Sequence, residues 1–476
     1  MTEFHEDRYF DPDSTIRKNA REIYDETRAL PIVSPHGHVD AQLLASNEEF
    51  PDPASLIVTP DHYILRLLYS RGVSLESLGV APTDGGSPRA ETDPRKIWQT
   101  FADHWHLFRA TPTRAWIEYE LRDVFGMKCQ LGSESAAKVY DAISERLKSA
   151  EFRPRALLKR FNIEVLATTD APSDSLEHHH TLRKAKLGTR VIPTFRPDAL
   201  FKIGSPHWAM EIDRLGKVVD KPIRNYGDLL GALVQRRADF KAAGATATDH
   251  GVLSPHTEKL DAAEAGRLFT RATVGGATEE DQSRFEAHLL MEMAARSVED
   301  GLVMQLHAGA LRNHNKFVYR RFGADRGGDI PVAVEFTRNL RALLNAYGND
   351  SRFRLIVFTL DESAYSRELA PLAGHYPAML LGAPWWFHDS IEGMMRFRRA
   401  TTETAGIENT AGFTDDTRAF CSIPARHDLA RRVDANYLGG LVARHVIDMS
   451  DAREMARLLA YDLAKRAYRL TEETGD

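Results

Sequence analysis

One pattern constrains this chain more than any other. Short, β-branched apolar runs alternate with stretches of helical spacing. The runs fall at residues 163–169, 190–195, 245–249, 302–307, 354–360, 378–381 and 410–413, with helical patterns between them, as at 226–242 and 280–298. Strands that alternate with helices imply parallel pairing, with the helices packed on the sheet. The pattern begins earlier, at Pro31-Ile32-Val33-Ser34-Pro35-His36-Gly37-His38-Val39-Asp40, after a helical stretch at 14–30 with Ser14 as its expected N-cap. That makes about eight strands, and nearly every one ends in polar residues, where closed barrels and open doubly wound sheets both place their sites. No Gly-x-Gly-x-x-Gly follows the first strand, which counts against a dinucleotide fold. The chain's 476 residues exceed the roughly 250 of a simple barrel. The excess lies at 40–160, where helical patterns at 63–70, 95–107, 114–125 and 133–149 surround a Gly/Pro-rich loop at 79–94 and strand patterns are nearly absent. The expected fold is therefore α/β: a distorted (β/α)8 TIM-like barrel with a helical insertion after the first strand. Its parts are 1–40 (helix and first strand), 41–160 (insertion) and 161–476 (the remaining barrel and C-terminal helices).

Composition bounds the partners. Hydrophobic residues make up 43% of the chain, enough for a substantial core, and a net charge of −6 leaves no basic footprint for nucleic acid. Two cysteines, Cys129 and Cys421, rule out a disulfide-rich scaffold and fit a reducing compartment. The first residues are polar and acidic, unlike a signal peptide, and no apolar run approaches the length of a membrane span. A soluble cytoplasmic protein is expected, forming a homo-oligomer, with a small-molecule partner and neither nucleic acid nor membrane.

His36 and His38 sit two residues apart on an extended segment, so both imidazoles point to one side. Gly37 between them lets the backbone come close to whatever they hold. Such a pair suits a divalent metal such as zinc, although alone it reads equally well as a polar surface turn. Other histidine groups read as surface. His104 and His106 diverge by about 200° on a helix, and His178, His179 and His180 fan out around one. In a barrel, His36, His38, His307 and Asp416 gather at one mouth. This N/O set with open positions suits a catalytic Zn²⁺, with Mn²⁺ or Co²⁺ as alternatives. His307 could instead touch only the substrate. Asp415 beside Asp416 leaves a one-residue ambiguity in the ligand.

His-x-His after the first strand, histidine after a middle strand and aspartate after the last resemble the amidohydrolase superfamily. No lysine ends the run near 245–250 and no histidine follows 354–360, so a binuclear hydrolase centre is not expected. Within that superfamily the chain resembles the uronate (glucuronate) isomerase family over most of its length. The resemblance rests on Ser34-Pro35-His36-Gly37-His38, Asp61-His62-Tyr63, Thr168-Thr169-Asp170, Thr194-Phe195-Arg196-Pro197-Asp198 and Asp249-His250-Gly251. It continues through Gln305 to Asn313, Pro384-Trp385-Trp386-Phe387, Asp416-Thr417-Arg418 and Arg426-His427. Thr417 stands where the family usually has serine.

The resemblance implies an aldose–ketose isomerase that interconverts D-glucuronate with D-fructuronate and D-galacturonate with D-tagaturonate by proton transfer through an enediol. It implies one divalent metal on which turnover need not depend. Asp416 is the expected base, and Arg418 the group that stabilises the developing oxyanion. His36 and Tyr63 are the expected proton relays. Arg196, helped by His62, is the expected partner of the substrate carboxylate. Trp385 and Trp386 offer flat faces to the sugar, and His307, Arg312 and Asn313 hold its oxygens. Duller explanations exist for several: a surface ion pair for Arg196, packing for Tyr63 and the tryptophans, a helix cap for Asp416, an exposed turn for Arg312. Two rival functions are a metal-dependent hydrolase of the same superfamily acting on a sugar-acid lactone or amide, and a non-catalytic sugar-acid binding protein.

Overall fold

The computed structural model describes residues 4–470. The chain opens with the helix Ser14–Thr27, whose apolar stripe of Ala20, Ile23 and Tyr24 packs on the long helix Ile423–Ala443. Its N-cap is Asp13 and not Ser14. The Asp13 carboxylate accepts from the backbone N–H of Thr15 and of Ile16, each at 2.9 Å, and Asp13 keeps the extended backbone of a cap.

Among the described residues nine strands follow in chain order: β1 (Ile32–Ser34), β2 (Ile163–Ala167), β3 (Arg190–Ile192), β4 (Ala247–Val252), β5 (Val303–Ala308), β6 (Ala310–Leu311), β7 (Ile330–Pro331), β8 (Leu355–Thr359) and β9 (Met379–Leu381). β1, β2 and β3 form one parallel sheet, and β4, β5, β8 and β9 another. β6 and β7 pair antiparallel beyond the end of β5. Phe195 joins the two parallel sheets, bridging Asp170 on one side and Thr248 on the other, and Leu381 of β9 bridges Thr410. β5 and β8 are buried along their whole length, as strands covered on both faces must be.

The ladder does not run unbroken round a closed ring among the described residues. Gly412 (φ 74°) and Asp416 (φ 40°) leave the extended region, so the segment after Thr410 cannot pair with β1 in register. Isolated bonds cross this seam instead. Thr414 Oγ1 donates to the His36 carbonyl at 2.7 Å, and the His38 N–H donates to the Thr417 carbonyl at 3.0 Å.

Residues 41–160 contain helices and no strand. Their helices begin on strong caps: Asp61 before His62–Ser70, Asp93 before Pro94–Asp103, and Thr111 before Pro112–Tyr119, the last two with proline in the first turn. They bury Trp98, Phe101, Phe108 and Phe125 in a core that also takes in Ile32, Ile163 and Phe420, so the insertion is welded to the strands that carry it. An aromatic side chain buried this way contributes roughly 1.5–3 kcal/mol by area alone. His179 departs from the surface reading of the histidine run. It is buried, and its Nε2 lies 2.8 Å from Thr168 Oγ1 at the end of β2. No helix of the described residues is long and apolar enough to cross a membrane.

Candidate active site

A cavity of about 620 Å³ opens where the parallel strands end. His36, His38, Arg196, His307, Arg312, Asn313, Trp385, Trp386, Asp416 and Arg418 all line it. These residues come from segments spread over most of the chain, and the C-terminal ends of β1, β3, β5, β9 and the last extended segment bring them together.

Asp416 is the centre of the arrangement. Its left-handed backbone, unusual for a residue with a side chain, turns consecutive carboxylates in different directions. The Asp415 carboxylate faces away, 3.1 Å from His427 Nε2. The Asp416 carboxylate faces the cavity, with Oδ1 2.9 Å from His38 Nε2 and 3.3 Å from His36 Nε2. Of the two aspartates, Asp416 is the one whose carboxylate meets the histidines. Burial opposes ionisation of Asp416, but the two imidazoles hold its carboxyl well below the usual carboxylate range. His36 is buried too, which disfavours its charged form, yet Asp416 and Asp249 raise its pKa, whereas burial lowers that of His38.

His307 stacks between His36 (ring centroids 4.6 Å) and Phe358 (4.1 Å). Its Nδ1 lies 2.6 Å from Asp249 Oδ1, while its buried Nε2 has no hydrogen-bond partner. Ligand atoms of His36, His307 and Asp416 lie within 4.8 Å of one another, and neither oxygen of the buried Asp416 carboxylate has a well-directed hydrogen bond. Donors about 2.0–2.2 Å from a zinc ion stand about 3.3 Å apart in a tetrahedron, which is the His36–Asp416 spacing. The donor set and its unsatisfied buried atoms therefore fit a divalent ion held by His36, His307 and Asp416, with His38 beside Asp416. Gly37 plays a smaller part than its position suggested. A Cβ there would meet Ala167 O at 3.5 Å and Asp415 Oδ1 at 3.6 Å, ordinary contacts. Its carbonyl instead accepts from Thr169 Oγ1 at 2.8 Å.

The guanidinium groups differ in how far they are committed. Arg196 Nε lies 2.8 Å from Asp198 and 3.4 Å from Asp249, leaving its Nη edge for a ligand. Arg312 Nη1 donates to Asp329 at 2.7 Å and its guanidinium lies 4.7 Å from the centre of the Trp386 ring. Arg418 faces Asp325 at 3.4 Å. His62 and Tyr63 are not in the wall of the main cavity. They line a smaller space beside Trp386, whose ring stands 5.4 Å from that of His62. Burial lowers the His62 pKa to about 3, so this imidazole is neutral. The Tyr63 hydroxyl donates to Asp389 at 2.9 Å, and Arg426 donates to the same carboxylate at 3.0 Å.

Sequence reasoning assigned no role to Asp249, Asp170, Asp325, Asp329 or Asp389. Asp249 and Asp170 were legible as charged residues ending apolar runs, the same signal that singled out His307. Asp325, Asp329 and Asp389 lie in loops without periodicity and gave none. Asp170 lines the cavity, and burial pushes its pKa up to about 7.

The fold and site thus define an α/β protein with a metal-capable His/Asp cluster at its strand ends. The model of the glucuronate isomerase family matches residues 1–468. Uronate isomerase from Nostoc punctiforme is 53% identical over 465 residues, covering 98% of each chain, and that of Rhizorhabdus wittichii is 53% identical over 466 residues, with the same coverage. The crystal structure of glucuronate isomerase from Caulobacter crescentus superposes with a TM-score of 0.96 at 47% identity, covering 99% of this chain and 98% of that one. Uronate isomerase from Thermotoga maritima superposes at 0.90 with 28% identity. This chain belongs to the glucuronate (uronate) isomerase family.

Proposed function

We propose that this protein is an aldose–ketose isomerase that interconverts D-glucuronate with D-fructuronate and D-galacturonate with D-tagaturonate through an enediol, on strands arranged as a distorted (β/α)8 barrel. One observation carries the reading: the Asp416 carboxylate faces the same cavity as three guanidinium groups, in a chain matched along nearly its whole length by uronate isomerases.

An ionised carboxylate beside an open-chain sugar can take the proton at C2. Asp416 is held ionised, so it starts in the required state. Arg418, two residues on, stabilises the negative charge that develops on the oxygens. His36 moves the hydroxyl proton, and C1 is reprotonated to complete the ketose. The uronate carboxylate meets the Nη edge of Arg196, with Arg312 adding positive charge. Asn313 and His307 hold hydroxyl or carbonyl oxygens, and Trp385 and Trp386 cover the sugar. Tyr63 holds Asp389 and acts as a relay only on releasing it. His36, His307 and Asp416, with His38 beside Asp416, would hold a divalent ion, Zn²⁺ first and Mn²⁺ or Co²⁺ next, which would supply positive charge to the substrate oxygens. A metal-dependent hydrolase is not favoured: the full-length relatives are isomerases.

Proton NMR with D-glucuronate in D₂O tests the reading. The expected product is fructuronate carrying deuterium at C1. If neither glucuronate nor galacturonate yields a ketose, the proposal fails. Fructuronate without deuterium would replace the solvent-exchanging enediol with hydride transfer or a shielded proton.

A further inference from the structure

Arg196 has a fixed backbone and a side chain with two places to go. Its N–H donates to the Asp170 carbonyl at 2.9 Å, just beyond β3. The side chain lines both the substrate cavity and a side cavity of about 360 Å³. A long flexible stem could turn toward either.

One edge of the guanidinium is held. Nε donates to Asp198 Oδ2 at 2.8 Å and stands 3.4 Å from Asp249 Oδ2. Asp198 is held in turn from β4, where the Gly251 N–H meets its Oδ1 at 3.0 Å and its Oδ2 at 3.1 Å. No hydrogen bond to another residue occupies the Nη groups of Arg196 among the described residues. A glycine inside a strand weakens it and often marks a place of close approach. Gly251 is such a place: a Cβ there would lie 2.8 Å from Arg196 Nη2 and 2.8 Å from Asp198 Oδ2. Both atoms are ends of flexible side chains. The fold could therefore take a methyl group at this position, but only by moving the guanidinium and its carboxylate.

We propose that Asp198 and Gly251 are positioning residues for Arg196. Asp198 holds the Nε edge, while Gly251 orients Asp198 and leaves the space in which Nη2 lies. The Nη groups are thereby aimed at the substrate cavity, where they read the carboxylate that separates a uronate from a neutral aldose. This rests on the reading of Arg196 as the partner of the substrate carboxylate. Two-point binding depends on the plane of the guanidinium, which charge alone does not set.

The sign of one effect separates orientation from charge. Asp198 is also a negative charge close to where the substrate carboxylate would sit. If that were its main effect, Asp198→Asn would tighten substrate binding. As a positioning residue it does the reverse, because an amide offers one accepting oxygen where the carboxylate uses both. Gly251→Ala displaces the same guanidinium without changing any charge.

Steady-state kinetics of the full chain and of these two variants test this, with whichever of D-glucuronate and D-galacturonate the unaltered protein turns over faster. Thermal unfolding of each shows that it is folded. KM is expected to rise about tenfold or more in both variants, with kcat kept within about threefold, since the substrate carboxylate is remote from C1 and C2. A fall in KM in Asp198→Asn overturns the proposal and makes Asp198 a competing charge. An unchanged KM in either folded variant also overturns it, as does a loss confined to kcat. If the unaltered protein forms no ketose from either uronate, the functional reading fails before any variant is made, and this proposal with it.

Discussion

Asp249 lines the substrate cavity and orients two of its neighbours, His307 and Arg196. It is buried, and His307 and Arg196 together hold its carboxyl well below the usual range against the opposing effect of burial. Its bond to His307 Nδ1 fixes the tautomer and aims Nε2 at the cavity. Asp249→Asn is expected to weaken binding of Zn²⁺ by about 10–100-fold, read by titration calorimetry, because second-sphere partners of metal-binding histidines carry effects of that size. Asp170 gives a second residue-scale expectation. Burial raises its pKa to about 7, with Thr168 donating to the carboxylate and partly opposing the shift. Below that pH the group is neutral. Above it a negative charge enters the cavity and repels the uronate carboxylate. KM is therefore expected to rise as pH passes upward through about 7, and Asp170→Asn to flatten that dependence. A KM–pH profile unchanged in the variant would remove Asp170 from substrate binding. Sequence alone picked out the residues whose chemistry is written in their type, such as His36, His307 and Asp416. It could not show that Arg196 already faces two carboxylates or that Tyr63 is turned to Asp389, because such pairings are made by residues far apart in the chain.

At the scale of elements, the strands were legible because apolar, β-branched runs between turns leave few alternatives. All seven runs from residue 163 onward contain an observed strand or strand bridge. The last was weakest in sequence and pairs only at Thr410, because Gly412 and Asp416 interrupt its backbone. β8 and β9 show how tightly the elements fix the site. Phe358 of β8 forms one side of the His307 stack, and Gly382, just after β9, leaves room for its ring. A Cβ on Gly382 would lie 2.4 Å from a Phe358 ring atom. Gly382→Ala is expected to destabilise the fold by about 1–3 kcal/mol, measured by denaturant unfolding, and to lower kcat by displacing His307. Retention of both wild-type values would show that the ring has somewhere else to go. Side-chain orientation within a helix was harder to read: His179 occupies the one position of its run that faces inward, and adjacent histidines hide that face from a simple pattern.

Across the molecule, the insertion meets the long helix Ile423–Ala443 at a buried titratable group. Glu120 lies fully inside, near Asp61 and Arg426, and its pKa is raised to about 8, chiefly by burial and then by Asp61. The folded protein thus keeps a proton that the unfolded chain releases near pH 4.5. Stability contributed by this group is present at low pH and is lost as pH rises from about 4.5 through about 8. Glu120→Gln is expected to raise the midpoint of thermal unfolding at pH 8, with the advantage shrinking toward pH 5. An equal effect at both pH values would mean that the carboxyl does not titrate in this window. Neither this junction nor the break in the ladder could be read from the sequence, since both depend on which distant segments meet. That break has a consequence for biosynthesis. Thr414 and His36 are 378 positions apart, yet they are bonded across the seam. A ribosome releases the two histidines hundreds of residues before the carboxylate opposite them. Until Asp416 emerges, a nascent chain that already carries the two histidines lacks the carboxylate they face, and a product truncated before Thr414 cannot close the seam.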